Sequence, residues 1–240
     1  MASVLTQIER GRKPSPPRIL CYGVEGIGKS TFAANFPAPI FVQTEDGLGQ
    51  IDCARFPLAT TSRQALEYLT ALVDEPNDFQ TVVVDSLDWL ERLIWDDVCA
   101  ANKIDSIEQL GFGKGYVMAL TQWRKFLDAL TRLHARRKIV LLLAHAVAED
   151  YADPEVSNLK RFTPRLHKTA RSLVAEYADL ILLATRKYGA AAGAANNPRV
   201  VRTEPSATQV AKSRYSIPSE MPLDANVVLS AIRQAQETKE

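Results

Sequence analysis

Apolar residues along this chain fall into two alternating patterns. Short, nearly unbroken runs, Arg18-Ile-Leu-Cys-Tyr22, Ile40-Phe-Val-Gln-Thr44, Thr81-Val-Val-Val-Asp85, Ile139-Val-Leu-Leu-Leu-Ala144 and Ala178-Asp-Leu-Ile-Leu-Leu-Ala184, have the length and branched content of strands covered on both faces. Between them, apolar side chains recur every three or four positions. Residues 62–73 carry Ala65, Leu66, Leu69, Leu72 and Val73; residues 87–101 carry Leu90, Ile94 and Val98; residues 116–134 carry Val117, Leu120, Trp123, Leu127 and Leu130. Each spacing predicts a helix with one buried stripe, and a last helix is predicted over residues 224–236. Strand and helix alternating in this way predict an α/β domain, a mostly parallel sheet flanked by helices. The small-residue stretch 189–197, leading into Arg199-Val-Val-Arg-Thr203, predicts a C-terminal hairpin extension of that sheet.

The ends of the runs carry the chemistry. The first opens into Gly23-Val24-Glu25-Gly26-Ile27-Gly28-Lys29-Ser30-Thr31, which fits the pattern G-x-x-x-x-G-K-[ST]. Such glycines let the backbone curl so that its N–H groups surround phosphates, while Lys29 reaches the terminal phosphates and Ser30 offers its hydroxyl to Mg²⁺. The strand before it and the helix predicted over residues 29–35 supply the context this geometry requires. Asp85, delivered by three β-branched residues to a strand end, has the Walker B arrangement for holding the Mg²⁺ shell, with a helix N-cap as the competing reading. Glu45 and Asp46 stand beyond the second run, where active sites of open α/β sheets lie; a solvated acidic turn explains them equally well. His145 ends the fourth run beside the phosphate loop, placed either to sense a γ-phosphate or to satisfy backbone groups.

Charge changes the picture in one region. The 240 residues carry 29 Lys and Arg against 28 Asp and Glu, a formal net charge of +1, so bulk basicity does not drive nucleic-acid binding. The aperiodic stretch 146–165, read as a long loop, splits into an acidic half and a basic half, and the latter runs on into a helix. Lys160, Arg161, Arg165, Lys168 and Arg171 thereby form the dense positive patch of a near-neutral chain, suited to a phosphate backbone, with a solvated helix face as the alternative. Lys114, in the glycine-rich loop Gly111-Phe-Gly-Lys-Gly115, is a further candidate contact. Cys21, Cys53 and Cys99 have neither the spacing of a zinc site nor the number of a disulfide framework, and no run is long enough to span a membrane. A cytoplasmic location is expected. Residues 1–17 read as an arm: Val4, Leu5 and Ile8 precede a proline-rich tether, either a frayed end or an apolar contact for a neighbouring subunit.

Taken in order, these pieces resemble the RecA-like recombinase core, and more closely the phage nucleotide-binding proteins of the Sak type, short ATPases associated with single-strand annealing and recombination. The matching segments are residues 22–31, 44–47, 84–89, 113–116, 143–145 and 211–214, spread over residues 18–220. The resemblance implies a P-loop NTPase that uses ATP and Mg²⁺ and spans residues 18–240, with Lys29, Glu45, Asp85 and His145 in its catalytic site. Ser86 occupies the place where many P-loop ATPases put the water-polarising acid, so the family pattern assigns that role to Glu45. It further implies that Lys212 and Arg214 reach the γ-phosphate of a neighbouring copy, so that ATP sits between subunits of a ring or filament on single-stranded DNA. A single-stranded DNA-binding protein is an additional candidate partner. A small-molecule kinase and a non-hydrolysing, ATP-switched loader are the rival readings.

Overall fold

The computed structural model describes residues 4–152, 159–187 and 197–238. Along the chain run β1 (Arg18–Gly23), α1 (Lys29–Ala34), β2 (Pro39–Gln43), β3 (Ala54–Arg55), α2 (Ser62–Asp74), β4 (Thr81–Asp85), α3 (Leu87–Asn102) and α4 (Lys114–Ala135). There follow β5 (Ile139–Tyr151), β6 (Leu159–Pro164), α5 (Lys168–Tyr177), β7 (Leu180–Arg186), β8 (Arg199–Arg202), β9 (Lys212–Ser213), β10 (Glu220–Pro222) and α6 (Ala225–Glu237).

β1 is apolar because it has a parallel neighbour on each side and a helical layer on each face. The sheet order is β10-β8-β7-β1-β5-β4-β2-β3, with β7 through β3 all parallel and β8, β9 and β10 added antiparallel at one edge. Alternate residues of β1 enter two cores. Leu20 and Tyr22 pack with side chains of α2 to α5, whereas Ile19 and Cys21 pack with those of α1 and α6. β5 is inserted between β1 and β4, so His145, where its parallel pairing with β1 stops, stands beside the phosphate loop on the side facing Asp85. Because the parallel strands point the same way, all the chemistry-bearing tips emerge along one edge, on either side of the point where the chain order reverses.

Three expectations need correction. The described residues of the stretch 146–165, expected as a loop, are mostly strand: β5 continues to Tyr151 and pairs antiparallel with β6, setting Glu149 opposite Arg161 and Asp150 opposite Lys160. Opposed charges stabilise such a pairing while hiding its periodicity from a hydrophobic reading. On α4 the expected Trp123, Leu127 and Leu130 are buried, with Ala119, Phe126 and Leu133 beside them, but Leu120 is only half-buried and Val117 is 63% exposed. In the first turn of α4 a Cβ on Gly115 would stand 2.5 Å from the Ile107 carbonyl oxygen. Finally, the tether after the N-terminal turn lies on the chain's own body. Arg12 donates to the Ala235 and Thr238 carbonyls, Gln236 to Ser15 O, and Arg137 to Pro14 O, while Leu5 and Ile8 are largely exposed. The predicted turn at 189–197 lies outside the described residues apart from Asn197, but the strands it joins pair antiparallel.

Candidate nucleotide site

The loop between β1 and α1 is held in place by close backbone packing. A Cβ on Gly23 would meet the Ala184 carbonyl oxygen of β7 at 2.5 Å, and Gly28 takes the left-handed conformation at φ 104°, so both positions require glycine. Lys29 is buried, and its Nζ donates to the carbonyls of Gly23 and Val24 at 3.0 and 3.2 Å. Burial pulls its pKa down from the ordinary lysine value, partly offset by neighbouring groups that include Asp85. Loop residues Gly26, Gly28, Ser30 and Thr31 border a cavity of about 430 Å³, into which Glu45, Asp85 and His145 also face. A larger cavity of about 700 Å³ beside α6 has Arg12 as its one charged lining residue, so it offers phosphates little.

Three further strands, β4, β2 and β5, complete the site with Asp85, Glu45 and His145. Ser30 Oγ donates to Asp85 Oδ2 at 2.6 Å. Burial raises the Asp85 pKa, with the Ser30 bond and Lys29 opposing. A hydroxyl and a carboxylate of this kind suit Mg²⁺, which prefers hard oxygens and completes its shell with water and phosphate. Among the described residues no group of three or more His, Cys, Asp or Glu side chains is arranged to hold a metal ion by itself. Glu45 follows β2, where Thr44 N donates to Asp85 O at 2.8 Å and Thr44 Oγ1 to Ser86 O at 2.6 Å. Ser86 Oγ in turn donates to Glu45 Oε2 at 3.0 Å. The serine in the place usually taken by an acid thus orients the acid on the neighbouring strand.

His145 lies opposite Gly23 in the β1–β5 register, and its Nδ1 is 3.9 Å from Glu45 Oε2. It is held by a residue that the motif reading passed over. Asp88, in the first turn of α3, accepts from the His145 amide at 3.1 Å, lies 3.0 Å from its Nδ1, and accepts from Arg165 Nη2 at 2.8 Å. Burial works to raise the Asp88 pKa, but the bonds from His145 and Arg165 win and hold it well below the usual carboxylate range. The signal was present in the spacing: an acid three positions past a strand-end acid, at the start of a helix, faces the same edge of the sheet.

The remaining residues disperse. Arg165 is not on an outer strip, because it bridges Asp88 and Glu25 of the phosphate loop. Arg171 is taken up by Glu149 and Thr163, and Arg161 lies over the Tyr151 ring. Lys114, Lys160 and Lys168 are exposed. Lys212 and Arg214 lie at the opposite end of the sheet from the phosphate loop. Lys212 Nζ caps the Ala175 and Ala178 carbonyls, and Arg214 pairs with Asp179, which also binds Arg18. Arg199, by contrast, lines the cavity without having been singled out in the sequence.

Residues 15–215 match the sequence model of a family described as AAA domain. No curated protein matches the chain. Among the described residues no helix is long and apolar enough to cross a membrane.

Proposed function

Because the chain belongs to the AAA domain family, with its P-loop ATPase-like fold, we propose that it hydrolyses ATP as a RecA-like protein of the phage Sak type, acting on single-stranded DNA in annealing or recombination. The observation that carries this reading is Glu45, fixed by Ser86 at the tip of β2 and facing the cavity bordered by Lys29, Ser30 and Asp85. A water between Glu45 and the γ-phosphate gives its proton to the carboxylate as its oxygen bonds to phosphorus. The bond from phosphorus to the β–γ bridging oxygen breaks, leaving ADP and phosphate. Lys29 exchanges its two carbonyl partners for β- and γ-phosphate oxygens. Ser30 and Asp85 would hold Mg²⁺, whose contribution when bound is to neutralise charge on the phosphates.

The DNA part of the proposal is supported by continuity. β5 runs from His145 directly into the β5–β6 hairpin, whose Lys160, with Lys168 and Lys114, offers exposed cations to a phosphate backbone. A homo-oligomer is the corresponding expectation. Lys212 and Arg214 lie at the end of the sheet that a head-to-tail neighbour would present to the next copy's phosphate loop, and Arg214 is the freer of the two, with a side chain 51% exposed.

Phosphate release measured with and without single-stranded oligonucleotide, over a range of salt and protein concentrations, tests the reading. Stimulation that falls steeply with salt and rises with protein concentration is expected, and Lys29→Ala should abolish turnover. Turnover indifferent to DNA but raised by a small-molecule acceptor would replace the proposal with a phosphotransferase.

A further inference from the structure

We propose that Arg199 binds the nucleotide from within the same chain, its guanidinium holding the α- and β-phosphates from the side of the loop opposite the hydrolytic residues. This rests on the nucleotide reading above and goes beyond it, because the family pattern looks for its additional cation in Lys212 and Arg214 of a neighbouring copy.

The position of Arg199 is the first support. Its Nη1 stands 2.8 Å from where a Cβ on Gly28 would be, so the guanidinium fills the space that the glycine leaves open. Gly28 immediately precedes Lys29, Ser30 and Thr31, the part of a phosphate loop whose amides cradle the α- and β-phosphates. The direction of approach decides which phosphates are meant. Glu45, Asp85 and His145 arrive from β2, β4 and β5 on one side of β1, whereas Arg199 arrives from β8, beyond β7, on the other. A side chain coming from there meets the nucleoside half of the phosphate chain before the γ-phosphate.

Its electrostatic state is the second support. The cations around it are engaged: Lys187 and Arg202 share Glu220, and Arg186 donates to Asn197 O. Among the described residues Arg199 has no carboxylate partner, although Glu25, Glu45 and Asp85 border the same cavity. A guanidinium left unpaired at the rim of a phosphate cradle suits bidentate recognition of phosphate oxygens. Its backbone is anchored for the purpose, paired with Arg186 of β7 and accepting from Leu223 N at 3.0 Å.

The test is equilibrium binding of ADP, and of a non-hydrolysable ATP analogue, to wild-type, Arg199→Ala, Arg199→Lys and Lys29→Ala proteins at fixed Mg²⁺ and salt. Arg199→Ala should weaken both nucleotides about tenfold or more and by similar factors, since the lost contact is common to them, and Arg199→Lys should recover part of the loss. The side chain is exposed, so the variant's unfolding midpoint should stay at the wild-type value, which separates lost contact from lost fold. ADP affinity within twofold of wild type overturns the proposal, as does a loss confined to the triphosphate, which would put the contact at the γ-phosphate. If wild type binds neither nucleotide and Lys29→Ala changes nothing, the nucleotide reading itself fails; if Lys29→Ala loses binding and Arg199→Ala does not, only the role of Arg199 fails.

Discussion

Replacing Asp88 by Asn removes one charge and almost no volume from the joint between the site and the hairpin. Asp88 is 4% exposed and satisfies the His145 amide, His145 Nδ1 and the Arg165 guanidinium. Asn keeps one acceptor oxygen but turns an NH₂ group toward donors. A hydrogen bond to a charged group contributes about 1.5–3 kcal/mol, and breaking a buried pair costs about 3–5 kcal/mol. The Arg165 side chain is 37% exposed, so solvent screening reduces its share and most of the loss falls on His145. Asp88→Asn should therefore destabilise the fold by about 3 kcal/mol at neutral pH, lowering the midpoint by roughly 6–12 °C for a chain of this size. The pH dependence adds a second check. The folded pKa of Asp88 is depressed, so its contribution is fully present above the unfolded value near ~4 and is lost as pH falls toward the folded value. The gap between wild type and variant should be constant above about pH 5 and shrink below about pH 4. Urea unfolding followed by circular dichroism at several pH values measures both. A loss under about 1 kcal/mol at pH 7, or a gap unchanged in acid, would refute the assignment of Asp88 as the ionised centre of this network.

Glu45→Gln should lower the hydrolysis rate constant about a hundredfold or more while leaving nucleotide affinity near wild type, because it removes the proton acceptor and little of the binding surface; single-turnover kinetics read this directly. Glu91 is buried, its Oε1 has no partner among the described groups, and burial, opposed by the bond from the His167 amide, pushes its pKa up to about 7. A raised carboxyl pKa means stability is lost as pH climbs from the unfolded value to about 7, so wild type should weaken over that range by on the order of 3 kcal/mol and Glu91→Gln should flatten the profile in chemical denaturation. Gly115→Ala should cost about 2 kcal/mol, since its Cβ would press on the Ile107 backbone carbonyl, and a thermal melt within a degree of wild type would contradict that packing.

Strands were legible wherever burial on both faces makes apolar runs, which is why β1, β4 and the first half of β5 were read almost to the residue. Where pairing rests on charge instead, the pattern fails: Glu149 opposite Arg161 and Asp150 opposite Lys160 read as a loop because neither strand shows an apolar face. The phosphate loop, Asp85 and Glu45 were legible because each occupies a fixed offset from a strand end. Residues whose partners are distant in sequence were not. Arg165 lies 140 positions from Glu25 and 77 from Asp88, and a charge run in the sequence does not show which of its members find internal carboxylates. Arg199 belongs to the same class, since its place over Gly28 depends on β8 pairing with β7.

Arg165 is the link through which the DNA proposed for the hairpin would reach the nucleotide site. It sits at the foot of β6 and touches Glu25 of the phosphate loop and Asp88, which holds His145 at 3.9 Å from Glu45. A backbone bound along Lys160 and Lys168, as proposed, would act on the site through this group of three contacts, each partly solvated or shared. Coupling through such a network is typically about 1–3 kcal/mol, or roughly 5–150-fold. Linkage makes it reciprocal for binding, so ATP should tighten single-stranded DNA by the factor by which DNA tightens ATP. That factor applies to binding and not to the hydrolysis rate constant. A contribution from a second copy adding charge at the γ-phosphate would show as a dependence on protein concentration, which separates it from one transmitted by Arg165.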